Sequence, residues 1–221
     1  MRIAYVVDVH DRLDAVPRAL AAIGEVDMLV VGGDITTGGG PDAAARAIEG
    51  WRSLAPRLLA VAGNMDSPAI DVRLAELGVA LDSAGVVVEG VGVCGVSAAP
   101  ISPLHTPYEL TDDELTRRSE HAFAAVAGAR VTVFCPHAPP YGTTCDRLAN
   151  GEHVGSRVIR KFVEREEPDV VLCGHIHESR GEDRIGRSRI VNPGPVSAGH
   201  YAVVEVGDEV AVSLDASPTS R

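Results

Sequence analysis

Two short apolar runs near the start of the chain each lead directly into polar residues. Ile3–Val7 is followed by Asp8 and His10, and Met28–Val31 is followed by two glycines and Asp34. Apolar runs of this length are typical of strands that are buried on both faces of a sheet. The same pattern recurs after runs 57–61, 131–135 and 168–172, which lead into Gly63-Asn64, Pro136-His137 and Gly174-His175-Ile176-His177. The chain must therefore place several groups of polar side chains at the ends of buried strands.

The segments between these runs have helical patterns, so strands and helices alternate along most of the chain. Helices are predicted over 13–23, 41–54, 68–77, 111–127 and 154–166, and antiparallel strands over 79–96, 180–191, 201–206 and 210–214. This order predicts one α/β domain with mixed sheets over residues 1–215, followed by a frayed tail over 216–221. Ligand sites in open α/β sheets lie at the carboxyl ends of the strands, where the polar clusters fall.

Composition excludes several classes of protein. A net charge of -11 in 221 residues argues against binding along a nucleic-acid backbone, which needs a basic surface. The four cysteines form no Cys-x-x-Cys pair, so reduced thiols in the cytoplasm are expected. The apolar run Ile3–Val7 is too short for the core of a signal peptide or for a membrane span, so no membrane association is expected.

The residues at the five strand ends propose a chemistry. They are carboxylates, imidazoles and one amide, namely Asp8, His10, Asp34, Asn64, His137, His175 and His177. Borderline divalent cations such as Mn²⁺, Fe²⁺ and Zn²⁺ accept this mixture of ligands. Seven ligands are too many for one ion and suit two, if one carboxylate bridges them. Two such ions can activate water and clamp a phosphoryl group, so the sequence predicts hydrolysis of a phosphate ester.

Each of these residues also has an ordinary structural interpretation when it is taken alone. Asp8 or Asp34 could cap a helix or stabilise a turn, Asn64 after a glycine is a common turn pair, and His137 could be a loop histidine with its hydrogen bonds satisfied. Their joint occurrence, each after its own buried strand, favours a metal site.

The motifs, in their order along the chain, resemble those of a known family. Asp-x-His, Gly-Asp, Gly-Asn-x-Asp, a single His and Gly-His-x-His run from Asp8 to His177 and resemble the calcineurin-like metallophosphoesterases. Asn192-Pro193-Gly194 also resembles the Asn-Pro-Gly turn of the smaller bacterial and archaeal members. The resemblance implies a single domain of two stacked mixed β-sheets flanked by helices, a four-layer sandwich with a dinuclear site at one edge.

The resemblance also implies a role for each ligand. One metal would be held by Asp8, His10 and His177, the other by Asn64, His137 and His175, and Asp34 would bridge the two; Asn64 would also bind substrate. A hydroxide bridging the ions would attack phosphorus in line, so no covalent enzyme intermediate is expected. Mn²⁺ is the expected ion, and Fe²⁺, Zn²⁺ and Ni²⁺ are alternatives.

One position departs from the family pattern. Most members have a histidine after the asparagine, and it is thought to contact the phosphate and protonate the leaving group, oriented by the following acid. Here that position is Met65, followed by the retained Asp66. A thioether cannot donate a proton. We therefore predict a preference for phosphodiesters over phosphomonoesters.

Few residues could replace the missing acid. His153 lies at a predicted helix start, where anions bind well, and together with Asp66 it is the candidate catalytic residue. His105, Tyr141, His200 and Arg12 are further polar residues near loops, and an ordinary surface role is the alternative for each of them, as it is for His153.

Two other functional classes compete with a phosphohydrolase of small phosphoesters. A scaffold of the same fold could serve as a protein-interaction module, but a retromer subunit of this kind has lost ligand positions that this chain keeps. A nuclease like the double-strand-break repair members would need appended domains and a basic face. The resemblance also leaves a homodimer open, without identifying an interface.

Overall fold

The computed structural model describes residues 1–216. Of the tail predicted from residue 216, only Ala216 is described, and it ends the last strand. The other residues of that prediction lie outside the described part of the chain.

The described chain contains thirteen strands and five α-helices. The strands are β1 (Arg2–Val6), β2 (Met28–Val31), β3 (Leu58–Ala60), β4 (Ala84–Val88), β5 (Val91–Val96), β6 (Ala99–Pro100), β7 (Glu109–Leu110), β8 (Val131–Pro136), β9 (Val170–Leu172), β10 (Gly181–Ile185), β11 (Ser188–Asn192), β12 (His200–Val206) and β13 (Val210–Ala216). The helices are α1 (Ala15–Ile23), α2 (Pro41–Trp51), α3 (Pro68–Glu76), α4 (Asp112–Ala124) and α5 (Arg157–Glu166).

Eleven of these strands form two large mixed sheets. The first sheet has the order β13-β12-β1-β2-β3, and the second has the order β10-β11-β9-β8-β5-β4. Strands β1, β2 and β3 are parallel to one another, as are β11, β9, β8 and β5. The predicted antiparallel pairing over 79–96 and 180–191 is right within each hairpin, but β5 and β11 pair in parallel with their other neighbours. Their crossover connections place them beside β8 and β9, which the local pattern does not reveal.

The two sheets pack face to face, and alternate residues of each strand point into the space between them. Ile3 and Tyr5 of β1 share one fully buried cluster with Val133 of β8. Ala4 of β1 and Phe134 of β8, which point the other way, belong to the cluster that includes the helices. The twofold periodicity of strands therefore explains why these runs are apolar at every position.

The helices cover the outer faces of both sheets. Helix α1 packs against β1 and β12, and α4 packs against β4 and β5. The predicted Thr111–Glu114 capping box begins α4, and Phe162 of α5 contacts Phe134 with ring centroids 4.9 Å apart. The result is the expected four-layer α/β domain. Within residues 1–216, no helix combines the length and the apolar character that crossing a membrane requires.

The stacking brings two sets of strand ends together. Parallel strands end at the same edge of a sheet, so the residues after β1, β2 and β3 lie side by side, as do those after β8 and β9. A hydrogen bond joins the two edges, from His137 Nδ1 after β8 to the carbonyl of Gly32 after β2, at 2.8 Å.

Candidate metal centre

A first group of potential ligands lies at this shared edge. The ligand atoms of Asp8, His10, Asp34 and His177 all lie within 4.8 Å of one another. The Nε2 atoms of His10 and His177 are 3.1 Å apart, and Oδ2 of Asp8 lies 3.8 Å from the His177 nitrogen. Asp8 is buried and His177 is exposed, so the group opens to solvent on the histidine side.

A second group lies beside the first. The amide Oδ1 of Asn64 is 3.0 Å from Nε2 of His137 and 2.7 Å from Nδ1 of His175. Asn64 and His137 are buried, whereas His175 is half-buried. These three residues follow three different strands, β3, β8 and β9, so the group forms only when both sheets are assembled.

Asp34 lies between the two groups. Its Oδ2 atom is 3.5 Å from Nε2 of His10 and 3.6 Å from Nε2 of His137. The other oxygen, Oδ1, accepts a hydrogen bond from the backbone N–H of Met65 at 2.7 Å. The Met65 bond fixes the rotation of the carboxylate, so a single oxygen faces both groups.

The donor set of the second group fits a cation. The Gly32 carbonyl can only accept, so Nδ1 of His137 carries the proton of the ring and Nε2 presents a lone pair. That lone pair faces the Asn64 oxygen, another acceptor, at 3.0 Å. Two buried acceptors at this distance repel each other unless a positive charge lies near both of them. A divalent metal satisfies both atoms at once.

The protonation states also suit metal binding. Burial lowers the pKa of His137 to about 4 and that of His175 to about 3, so both rings are neutral at neutral pH. Neutral imidazole is the form that coordinates metals. Burial raises the pKa of Asp34 to about 6, and burial together with the charge of Asp34 raises that of Asp8. A bound cation would reverse the shifts of the two acids by stabilising their charged forms.

The backbone is strained at four of the seven positions. Asp8, His10, Asp34 and His175 adopt φ angles of 57°, 48°, 49° and 67°, in the left-handed region that favours glycine. Such conformations cost on the order of 1 kcal/mol or more each and cluster at functional sites. Hydrogen bonds from Asp8 N to Gly33 O and from His10 N to Asp34 O hold the first two exits in register, at 3.1 and 2.8 Å.

Two glycines allow the ligand-bearing turns to approach each other. A Cβ atom on Gly63 would lie 2.1 Å from Oδ1 of Asp34, and one on Gly174 would lie 2.9 Å from Oδ2 of Asp8. Neither position has room for a side chain. The Gly-Asn and Gly-His pairs of the sequence are therefore required by the packing of the site.

Asp66 connects the turns after β2 and β3. It is buried, and its two oxygens accept hydrogen bonds from the N–H groups of Ile35, Thr36 and Gly63 and from the Thr36 hydroxyl, at 2.9 to 3.0 Å. These contacts are those of a positioning residue. Its predicted catalytic role stays a prediction.

We expect Asp66→Asn to destabilise the protein. The asparagine has one acceptor oxygen in place of two, so some of these buried donors lose their partner at about 1–3 kcal/mol each. The free energy of unfolding, measured with urea in EDTA, should fall by about 3 kcal/mol. Asp11→Asn is the control, because Asp11 is exposed and accepts a single N–H from Thr37. Equal stability of the Asp66 variant and the wild type would contradict this role.

Asn192 supports the turn that carries His175 and His177. Its Nδ2 donates to the carbonyls of Ile176 at 3.0 Å and Cys145 at 3.3 Å, and its Oδ1 accepts from Gly194 N at 2.9 Å. The Asn-Pro-Gly motif was noticeable in the sequence, but its contact with the ligand turn depends on the pairing of β11 with β9.

His153 lies outside the two ligand groups, in the loop before α5. Its Nδ1 is 2.7 Å from Oδ1 of Asp146, which is fully buried and also accepts N–H groups from residues 142, 143 and 155. The same loop is bonded to two ligand-bearing segments, through Ser156 N to Pro139 O at 2.8 Å and Ser179 Oγ to Arg147 O at 2.7 Å. Sequence reasoning missed Asp146, which no metal-ligand spacing marks.

The remaining polar candidates differ in their surroundings. The Tyr141 ring contacts the His153 ring at 5.8 Å and has the Arg157 guanidinium 3.7 Å from its centre. His105 and Arg12 are exposed. Burial and the nearby Arg180 lower the pKa of His200. None of their side chains belongs to the ligand groups defined above.

Comparison with known proteins identifies the family. The calcineurin-like phosphoesterase superfamily domain matches residues 1–209. The chain is 33% identical over 206 residues to an uncharacterized protein of Methanocaldococcus jannaschii, a match that covers 89% of each chain. The protein therefore belongs to the calcineurin-like phosphoesterase superfamily, and Asp8, His10, Asp34 and His177 are its candidate metal-binding cluster.

Solved structures share the fold at low sequence identity. The protein TT1561 of Thermus thermophilus superposes with a TM-score of 0.73 at 17% identity, over 96% of this chain and 97% of that one. A dimetal phosphatase from Danio rerio gives a TM-score of 0.63 at 10% identity, over 99% and 96%. A structure described as a novel archaeal phosphodiesterase gives 0.53 at 14% identity, over 97% and 99%.

Proposed function

We propose that the protein hydrolyses small phosphodiesters with two divalent ions held by the two ligand groups. The position of Asp34 supports this best, because its Oδ2 faces His10 at 3.5 Å and His137 at 3.6 Å. A single carboxylate oxygen between two sets of neutral ligands suits a bridge between two ions. Superfamily membership and the similarity to a dimetal phosphatase and a phosphodiesterase agree with the proposal.

The ligands would divide as the groups do. Asp8, His10 and His177 would hold one ion, Asn64, His137 and His175 the other, and Asp34 both. Mn²⁺ is the ion we expect from this mixture of imidazole, carboxylate and amide oxygen. Bound there, two ions supply an activated water and stabilise charge on the phosphoryl oxygens. The four free thiols are compatible with a cytoplasmic location, which we also propose.

The chain's own residues would orient the reaction. The proton on His137 Nδ1 is fixed by the Gly32 carbonyl, so its Nε2 points at the site without rearrangement. Asn64 directs its oxygen to the two histidines and leaves its NH₂ group to donate to a phosphoryl oxygen. Both groups are therefore set before substrate binds, which is the arrangement that electrostatic catalysis requires.

The preference for diesters follows from the side chain at position 65. Met65 is half-buried, and its backbone N–H is bonded to Asp34, but its thioether cannot protonate a leaving alkoxide. Leaving groups that depart as stable anions should therefore react best. His153 is our candidate for partial replacement of the acid, because the buried Asp146 holds its ring in one orientation.

A metal-dependence assay tests the proposal. Protein purified with Mn²⁺ should hydrolyse bis-p-nitrophenyl phosphate faster than p-nitrophenyl phosphate and should lose this activity in EDTA. Asn64→Ala and His175→Ala should each lower kcat/KM by about 10²-fold or more, since each removes a ligand of the second group. His121→Ala is the control, because His121 is an exposed helical histidine beside Ser83. The absence of turnover with every divalent metal tried would refute the enzyme and favour the scaffold alternative.

A further inference from the structure

One loop of the protein presents two large apolar side chains to solvent. Ile101 is 63% exposed and Leu104 is 79% exposed, and they lie in the connection between β6 and β7. The other exposed large hydrophobics of the described residues, such as Val87 on β4, are isolated along the chain. Single exposed apolar residues need no explanation, but two within one loop beside a catalytic site do.

The loop is held in one conformation. The Glu109 carboxylate accepts hydrogen bonds from the N–H and hydroxyl groups of both Ser102 and Thr106, at 2.8 to 3.2 Å. Although burial acts in the opposite direction, these bonds hold the pKa of Glu109 at about 2. The carboxylate therefore stays charged and bonded, and Leu104 N is tied to Ser102 Oγ at 3.2 Å. The apolar tip is preorganised, which lowers the entropy lost when a ligand contacts it.

The base of the loop adjoins the second ligand group. Tyr108 N donates to the carbonyl of Asn64 at 3.0 Å, and Ala98 N donates to the carbonyl of Ala62 at 3.0 Å. Glu109 is also among the groups whose charge acts on His175. The loop therefore stands at the rim of the site, on the side of Asn64 and His175.

We propose that Ile101 and Leu104 form a subsite for an apolar or aromatic group of the phosphoester substrate. The inference rests on the proposed function and adds a substrate class to it: phosphodiesters whose retained ester group is bulky and apolar. Contact with two aliphatic side chains would hold that group while the second ligand group holds the phosphoryl oxygens. A second copy of the chain is a poorer occupant, because a stable interface needs roughly 800 Å² from each partner.

Two diesters with the same leaving group test this subsite. Methyl p-nitrophenyl phosphate and phenyl p-nitrophenyl phosphate both release p-nitrophenolate and gain one oxygen from water, so they differ only in the retained group. The wild type should prefer the phenyl ester by about tenfold in kcat/KM, mainly through KM, which equals about 1.4 kcal/mol. In the Ile101→Thr/Leu104→Asn double variant the ratio should fall to about twofold or less, with the methyl ester unchanged.

Val87→Thr is the matched control, since Val87 is 47% exposed and pairs with Gly92 at the opposite end of β5 from the loop. It should keep the wild-type ratio. An equal ratio in the double variant and the wild type would overturn the subsite, whether or not the double variant also changes its sedimentation. A wild type that turns over both esters equally would overturn it as well. Failure of the wild type to hydrolyse either ester with any metal would instead refute the proposed function.

Discussion

Asp34→Asn should abolish most metal-dependent hydrolysis, with a loss in kcat/KM of roughly 10³-fold. The asparagine has one oxygen, and the Met65 N–H, now 2.7 Å from Oδ1 of Asp34, needs an acceptor. If the amide oxygen accepts that bond, the NH₂ group replaces Oδ2 and faces both His10 and His137. An amide NH₂ group cannot bind a cation, so both ligand groups lose their shared member.

Metal content separates this effect from general damage to the fold. Equilibrium dialysis followed by elemental analysis should find two Mn²⁺ per wild-type chain and at most one in the Asp34→Asn variant. Asp169→Asn is the matched control, because Asp169 accepts the N–H and hydroxyl of Thr132 at the start of β9, away from the ligand-bearing strand ends. It should keep both ions. An Asp34 variant that binds two ions and retains more than a tenth of the activity would contradict the bridging role.

Local sequence pattern was sufficient to locate the ligand residues. Each of Asp8, Asp34, Asn64, His137 and His175 directly follows a strand that is buried on both faces, and such strands have a distinctive run of apolar residues. Parallel strands place their carboxyl ends at one edge, so the side chains after them are neighbours whatever the exact strand order. The α/β class and the site follow from this rule alone.

Other features depend on contacts between distant segments, which the pattern does not specify. The His137–Gly32 hydrogen bond spans 105 residues and exists only because the two sheets stack in one register. The Asp146–His153 pair and the exposure of Leu104 depend in the same way on how loops fold back on the core. The left-handed backbone of Asp8 and His175 was also invisible, since glycine usually marks that conformation and here the function requires side chains.

Met65→His should restore general acid catalysis toward poor leaving groups. With phenyl phosphate, whose leaving group benefits from protonation, kcat/KM should rise by about 10²-fold. With p-nitrophenyl phosphate, whose leaving group departs as a stable anion, the rise should stay within a few fold. Met65→Gln is the matched control, because glutamine has nearly the shape of methionine and donates no acidic proton. Equal changes with both substrates would show that position 65 does not limit proton transfer.

The size of this gain should be limited by Asp66. In the family pattern the acid after the histidine orients its ring, but here both Asp66 oxygens are already occupied by donors from Ile35, Thr36 and Gly63. The new imidazole could gain this partner only by displacing one of those bonds, so its rate effect belongs at the low end of the usual 10²–10⁴-fold range.

His153→Gln, made alone and together with Met65→His, completes the test. If His153 supplies the proton in the wild type, its loss should lower phenyl phosphate hydrolysis in the Met65 background and have little effect once the histidine is present. Such non-additivity is the signature of two groups that serve one step. Equal effects of His153→Gln in both backgrounds would exclude this role and leave the Asp146–His153 pair with the positioning of its loop.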